Sequence, residues 1–130
     1  MLADGGGIRG LSSLYILRHV FYRLNYDRAE QGQSAIEPWQ YFDLIGGTST
    51  GGIIALMLGR LRMSIDECVA AYENLGEAVF RAPQRLGHRA RFDERKFEEV
   101  IKKVISNRFP GSDPEAVQLI EDSEDQSCYT

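Results

Sequence analysis

The sequence predicts an α/β fold, because one local unit occurs twice: a short apolar stretch, a glycine cluster and then a helical pattern. Residues 1–3 precede the first glycine cluster, and the apolar stretch at 43–47 ends in the second. Buried strands have this short, apolar, glycine-bounded form. We therefore expect a strand at both places, each followed by a tight turn and a helix.

The first helix is predicted over residues 9–28. Its apolar residues recur at steps of three and four, which places them on one buried face. These residues are Leu11, Leu14, Leu17, Phe21 and Leu24. The polar segment 31–34 breaks the pattern, and Pro38 restricts the backbone before the aromatic segment 39–42. We expect this region to be a connecting loop.

Two further helices follow the second glycine cluster. Residues 53–58 are all apolar, as in a helix that is buried on every side. Ser64 and Glu67 match a capping box, in which the serine accepts from the amide three residues on and the glutamate reaches back. This pair predicts a helix that begins after Ser64 and ends near Phe80.

A basic loop and a fourth helix are predicted in the second half of the chain. Residues 81–91 hold four arginines and His88, which is typical of a solvated loop or, alternatively, of a surface that meets anionic head groups. Asp93 can cap a helix that runs to about Asn107. We expect one domain over 1–120 and a mobile acidic tail over 121–130.

Composition excludes several classes of function. The chain has 130 residues, a hydrophobic fraction of 43% and a net charge of −4, values typical of a globular domain without a nucleic-acid surface. The longest nearly uncharged run, 44–59, is too short and too polar for a transmembrane span, and residues 1–9 lack a secretory signal. Cys68 and Cys128 have no metal-ligand spacing. We expect a cytoplasmic protein without metal or cofactor.

The first candidate for chemistry is Gly47-Thr48-Ser49-Thr50-Gly51, which fits G-x-S-x-G between a predicted strand and a helix. In such a nucleophile elbow the serine occupies a strained turn, and the glycines relieve crowding. The start of the following helix favours an oxyanion beside Ser49. We expect Ser49 to be a nucleophile. The alternative is that the glycines only permit close packing and that Ser49 caps the helix.

The second candidate is the glycine-rich loop Asp-Gly-Gly-Gly-Ile-Arg-Gly at residues 4–10. Consecutive glycines let backbone N–H groups turn toward an anion, such as the oxyanion of an acyl transfer. Alternatively, Gly5, Gly7 and Gly10 satisfy the G-x-G-x-x-G pattern of a nucleotide-binding module, with Asp27 as its ribose-binding acid. Asp27 lies in a helical pattern rather than after a strand, so the elbow favours the oxyanion.

His88 could complete a Ser-Asp-His triad with Asp66, which lies between Ser49 and His88 in the sequence. Asp66 falls in the first turn of a predicted helix, where the helix dipole already explains an acidic residue. We therefore favour a solvated loop position for His88.

The glycine-rich loop followed by Tyr-Phe-Asp-Leu-Ile-Gly-Gly-Thr-Ser-Thr-Gly-Gly at 41–52 resembles the patatin-like phospholipase family over about residues 1–80. The segment 58–64 is similar to its calcium-independent phospholipase A2-like branch, often seen in fungal multidomain proteins. The resemblance implies a three-layer α/β/α fold with a mainly parallel sheet. It also implies a serine acyl hydrolase of glycerolipids or phospholipids at a membrane surface, with a Ser–Asp dyad and no metal.

Carried over by position, the resemblance makes Ser49 the nucleophile. The oxyanion loop would then comprise Gly5, Gly6, Gly7 and Gly10, with Arg9 as its anchor. The family's dyad aspartate belongs to a downstream Asp-Gly-Gly or Asp-Gly-Ala motif, but the only Asp-Gly pair here is Asp4-Gly5. We therefore expect a truncated domain that lacks its base and has little activity alone.

Overall fold

The computed structural model describes residues 1–77, 94–117 and 128–130. Two strands, β1 (Leu2–Ala3) and β2 (Gly46–Gly47), form a parallel sheet. The helices are α1 (Gly10–Glu30), α2 (Pro38–Tyr41), α3 (Thr50–Ala55), α4 (Ile65–Leu75) and α5 (Glu94–Arg108). A 3-10 turn at Gly7–Arg9 precedes α1, and a π-helical turn at Leu56–Arg60 continues α3. The predicted α/β class is confirmed.

The sheet is short and parallel. Leu2 lies opposite Gly46, and Ala3 lies opposite Gly47. Tyr129 adds a parallel bridge at Leu44, in which its amide donates to the carbonyl oxygen of Asp43 at 2.8 Å. The last three residues of the expected tail thus lie against the sheet, because they pair with backbone groups ahead of β2. Residues 121–127 lie outside the described residues.

The core forms between α1, α3 and α4. Leu14 and Phe21 of α1 are buried, as the apolar spacing predicted, and α1 extends two residues beyond the predicted end. Ile54 of α3 and Leu58 of the π-helical turn are also buried, which confirms the central helix. Helix α3 begins at Thr50, three residues earlier than predicted. It packs against both strands, β1 and β2.

The predicted loop after α1 contains a short helix, α2. Pro38 occupies its first position, where the missing amide hydrogen costs nothing. The backbone amide of Glu37 donates to Oε1 of Gln40 at 2.9 Å, which stabilises the turn. The expectation of a plain loop is wrong here, and the spacing of Glu37 and Gln40 is the signal that could have predicted the helix.

The capping box of α4 is confirmed. The Ser64 hydroxyl accepts from the Glu67 amide at 3.3 Å, and the Ser64 amide donates to Oε2 of Glu67 at 2.7 Å. Cys68 and Tyr72 lie on the buried face of α4, and burial raises the pKa of the Cys68 thiol. The predicted end near Phe80 and the basic segment 81–91 lie outside the described residues.

The fourth predicted helix is confirmed as α5, whose last residue is one beyond the predicted Asn107. The predicted cap, Asp93, lies outside the described residues. In the described part of the chain, no helix is both long enough and apolar enough to cross a membrane.

Gly51 of α3 lies directly against Ala3 of β1, and its replacement should destabilise the fold. A Cβ at Gly51 would overlap the Ala3 carbonyl, whereas a Cβ at the neighbouring Gly52 would meet the Gly47 carbonyl oxygen at 3.4 Å, an ordinary contact. We expect Gly51→Ala to lower the free energy of unfolding by about 1–3 kcal/mol in urea denaturation. Gly52→Ala is the matched control, and the higher helix propensity of alanine should leave it within about 1 kcal/mol. Equal losses would contradict this assignment.

The α4 capping box should make stability depend on pH. Hydrogen bonds from the Ser64 amide and hydroxyl hold the pKa of Glu67 below its usual range. A carboxyl with a lowered pKa stabilises the folded state above its unfolded pKa, and this contribution disappears as pH falls through the folded value. We expect Glu67→Gln to cost about 0.3–1 kcal/mol at pH 7, because glutamine can keep the hydrogen bond of the box but loses the negative charge at the helix N-terminus. The difference from the unaltered chain should shrink below about pH 4.3. Urea denaturation of the two proteins at pH 7 and below about pH 4.3 measures this difference in the free energy of unfolding. An equal difference at the two pH values would show that the carboxylate charge contributes nothing.

Candidate functional site

Ser49 lies between β2 and α3 in a strained, exposed turn. Its backbone has φ 53° and ψ −128°, so its φ is in the left-handed range that non-glycine residues seldom adopt. The Ser49 side chain makes no capping hydrogen bond to α3. The alternative in which Ser49 caps the helix is therefore wrong. Strain at a single exposed serine is typical of a functional position.

The glycines of the motif are required by the geometry of this turn. A Cβ at Gly47 would overlap the backbone carbonyl of Gly51, and a Cβ at Gly51 would overlap that of Ala3. The turn is closed by two backbone hydrogen bonds of 2.9 Å, from Gly51 to Thr48 and from Gly52 to Ser49. The G-x-S-x-G spacing thus follows from two close approaches between backbone atoms.

The glycine-rich loop lies beside Ser49. A Cβ built on Gly5 would be 2.6 Å from the Ser49 Cβ and 3.4 Å from its Oγ. The Gly5 amide donates to Oγ1 of Thr48 at 3.4 Å, and the Gly6 amide donates to Oγ1 of Thr50 at 3.3 Å. Two loop amides are therefore directed at the hydroxyls on either side of Ser49.

The rest of the loop contacts α4. Gly6 and Gly7 have positive φ, and the Gly7 carbonyl oxygen accepts from the Tyr72 hydroxyl at 2.6 Å. Gly10 is buried with no space for a side chain against the Tyr72 phenol. The Arg9 amide donates to the Gly6 carbonyl oxygen at 3.3 Å, which closes the 3-10 turn. Sequence reasoning missed Tyr72, whose only signal was its place on an apolar helix face.

Asp27 and Asp66, the acids of the two alternative sites, both form ion pairs with arginines of α1. Asp27 is inside α1 and pairs with Arg23 at 3.1 Å, so it does not follow a second strand as the ribose-binding acid of a dinucleotide site does. Asp66 pairs with Arg18 at 3.4 Å on the exposed surface of α4. His88, the remaining member of that proposed triad, lies outside the described residues.

Neither a base nor a metal cluster accompanies Ser49 in the described part of the chain. Within residues 1–77, 94–117 and 128–130, no side chain makes a hydrogen bond with the Ser49 hydroxyl. The same residues contain no group of three or more His, Cys, Asp or Glu side chains that could hold a metal ion. The arrangement therefore supplies a strained hydroxyl and neighbouring amide donors.

Comparison with known proteins gives a single family. The model of the patatin-like phospholipase family matches residues 2–126. Phospholipase A I of Arabidopsis thaliana is 42% identical over 77 residues, which cover 59% of this chain and 5% of that protein. Calcium-independent phospholipase A2-gamma of Rattus norvegicus is 36% identical over 110 residues, which cover 80% of this chain and 13% of that protein.

Patatin-17 of Solanum cardiophyllum is 32% identical over 110 residues, 78% of this chain and 27% of that protein. No solved structure matches the chain. The chain spans 5% and 13% of the lengths of the phospholipase A I and the rat protein. Because the family match extends over nearly all of its residues, the chain belongs to the patatin-like phospholipase family.

Proposed function

We propose that Ser49 is the nucleophile of a lipid acyl hydrolase. The observation that carries this proposal is an exposed serine in a left-handed turn, with the amides of Gly5 and Gly6 directed at its two neighbours. Family membership and the printed names of the phospholipase relatives support a glycerolipid or phospholipid substrate. Because such lipids form membranes, the enzyme would act at a membrane surface.

The first step would be attack of the Ser49 Oγ on the ester carbonyl carbon. A new C–O bond forms, and the carbonyl oxygen takes the electron pair as an oxyanion. The amides of Gly5 and Gly6 now hold neutral hydroxyls at 3.4 and 3.3 Å, which are long for such bonds. A charged oxygen is a stronger acceptor than a neutral hydroxyl. The two amides can therefore donate to the oxyanion instead of to the threonines as negative charge develops.

The second half of the reaction would regenerate the serine. The tetrahedral intermediate collapses, the bond to the alcohol leaving group breaks, and that alcohol takes up a proton. The acyl group remains on Ser49 until water attacks the same carbonyl carbon and releases the fatty acid. The oxyanion donors serve both steps, since each passes through a tetrahedral oxyanion.

The base of this mechanism would be an aspartate, paired with Ser49 in a Ser–Asp dyad. A serine at its ordinary pKa is a weak nucleophile, so the proton on Oγ needs an acceptor. The only Asp-Gly pair in the chain is Asp4-Gly5, whose glycine already belongs to the loop beside Ser49. We propose that sequence other than these 130 residues supplies the aspartate, and that this chain alone hydrolyses phospholipid little or not at all.

A longer polypeptide, in which these residues continue into an Asp-Gly-Gly or Asp-Gly-Ala motif, tests the nucleophile. We expect a fluorophosphonate to label Ser49 there, because the probe reacts with activated serine hydroxyls. Phospholipid hydrolysis should fall by at least about a thousandfold in Ser49→Ala. Ser12→Ala, at an exposed position of α1, is the matched control and should keep full activity.

Two results would contradict these proposals in different ways. Labelling that persists in Ser49→Ala would exclude Ser49 as the nucleophile. Hydrolysis by the 130-residue chain that disappears in Ser49→Ala would show instead that the chain contains its own base.

Replacing Gly5 should impair the reaction without touching Ser49 itself. An alanine methyl group would lie 2.6 Å from both the Ser49 Cβ and the Thr48 carbonyl oxygen, so the loop must move and its amides with it. Removal of one oxyanion donor costs roughly 10²–10³ in rate, and we expect a labelling rate about 10²-fold lower for Gly5→Ala.

Gly76→Ala is the matched glycine control, because no atom lies within 4 Å of a Cβ at that position. Both variants would be compared in the longer polypeptide by the rate of fluorophosphonate labelling. Equal rates for the two variants would show that the loop amides do not assist attack.

A further inference from the structure

Tyr72 of α4 contacts the glycine-rich loop at Gly7 and at Gly10. Its side chain is 1% exposed, and its hydroxyl donates to the Gly7 carbonyl oxygen at 2.6 Å. The two residues are 65 positions apart in the chain. A buried hydroxyl needs a partner, and this hydrogen bond provides one both for Tyr72 and for the loop carbonyl.

The loop needs an external support because its own backbone hydrogen bonds are few. Gly6 has φ +148° and Gly7 has φ +59°. Glycine adopts such positive φ values readily, but it does not prefer them over negative ones. Within the loop, the described backbone hydrogen bond is that from Arg9 to Gly6 at 3.3 Å. Flexible glycines lose much conformational entropy when they are ordered, so contacts outside the loop must fix their peptide planes.

Contacts with two other elements, the elbow and α4, fix the loop. On the side of the elbow, the Gly5 and Gly6 amides bond to the hydroxyls of Thr48 and Thr50. From α4, the Tyr72 hydroxyl donates to the carbonyl oxygen of Gly7, the residue after Gly6. The elbow contacts are longer than 3.2 Å and must be released when an oxyanion forms, whereas the Tyr72 contact can persist throughout.

Gly10 belongs to the same support. A side chain at Gly10 would overlap the Tyr72 phenol, so the start of α1 rests directly against the ring. The ring is thereby confined between α4 and the first turn of α1. This packing leaves the hydroxyl oxygen little freedom to move away from the Gly7 carbonyl.

We infer that Tyr72 is a positioning residue of the proposed hydrolase site: its hydroxyl fixes the Gly7 peptide and so the directions of the Gly5 and Gly6 amides. The inference rests on the proposed function of Ser49. Donors to a developing oxyanion act only if they are already oriented, and a small displacement of the loop lowers the rate of attack strongly. Tyr72 would affect the chemical step, and not the affinity for the acyl group.

The test is Tyr72→Phe, which keeps the ring and removes the hydroxyl. Tyr15→Phe is the matched control, because the exposed Tyr15 hydroxyl donates to Oε1 of Glu73 at 2.9 Å, away from the loop. In the longer polypeptide, we expect Tyr72→Phe to lower the maximal rate of fluorophosphonate labelling by at least about tenfold. The half-saturating probe concentration should change by less than about twofold. Tyr15→Phe should change neither.

Hydrogen exchange gives a readout that does not depend on the chemistry. The amides of Gly5 to Gly7 should exchange at least about tenfold faster in Tyr72→Phe, while amides in the second half of α1 keep their rates. Loop exchange and maximal labelling rate that both stay within about twofold of the unaltered chain would overturn the inference. If Tyr72→Phe changed only the half-saturating probe concentration and left the maximal labelling rate unaltered, the inference would be overturned as well.

Two further outcomes keep the inference decidable. Labelling that persists in Ser49→Ala would remove the proposed function and this inference with it, whereas Ser49-dependent labelling at normal rate in Tyr72→Phe would remove only the inference. Should Tyr72→Phe not fold, exchange of the tyrosine hydroxyl protons in the unaltered chain decides. Slower exchange at Tyr72 than at the exposed Tyr22 supports the hydrogen bond to Gly7, and equal exchange excludes it.

Discussion

The site depends on how closely the start of α3 approaches strand β1. Gly51 lies against the Ala3 carbonyl so tightly that no side chain fits between them, and Gly47 lies equally close to Gly51. This approach forces the chain to reverse within a few residues, and Ser49 takes up the reversal in a left-handed conformation. The strain at Ser49 is therefore imposed by the packing of a helix on a sheet.

The same approach brings two distant glycine clusters together. β1 leads directly into the glycine-rich loop, and β2 leads directly into the elbow, so their parallel pairing places both turns at the same end of the sheet. Thr48 and Thr50, which flank the serine, supply the hydroxyls that bind the loop amides. The motif thus positions the serine and also orients its neighbouring loop.

Local patterns predicted those parts of the fold that local physics determines. The capping pair Ser64 and Glu67 and the apolar face of α1 are confirmed because their interactions lie within a few residues of one another. Helix α2 (Pro38–Tyr41) had an equally local signal, the spacing of Glu37 and Gln40, which the emphasis on Pro38 as a breaker obscured. The proximity of Gly5 to Ser49 followed from family resemblance and strand order.

Other contacts could not be predicted, because they join residues that only the packed fold brings together. The hydrogen bond from Tyr72 to Gly7 depends on how α4 lies across the start of α1, and an apolar periodicity does not say which atom its tyrosine meets. The bridge between Leu44 and Tyr129 likewise joins the last residues of the chain to the sheet. No short-range pattern marks either partner.

The burial of both cysteines has a practical consequence for the reactivity of this chain. Cys68 and Cys128 are its two thiols, both are inaccessible, and burial raises the pKa of Cys68, so little thiolate forms there at neutral pH. Sulfur is the usual competitor of a serine for electrophilic reagents. With both thiols buried, the folded chain offers such reagents the Ser49 alcohol at its surface before it offers them a thiol.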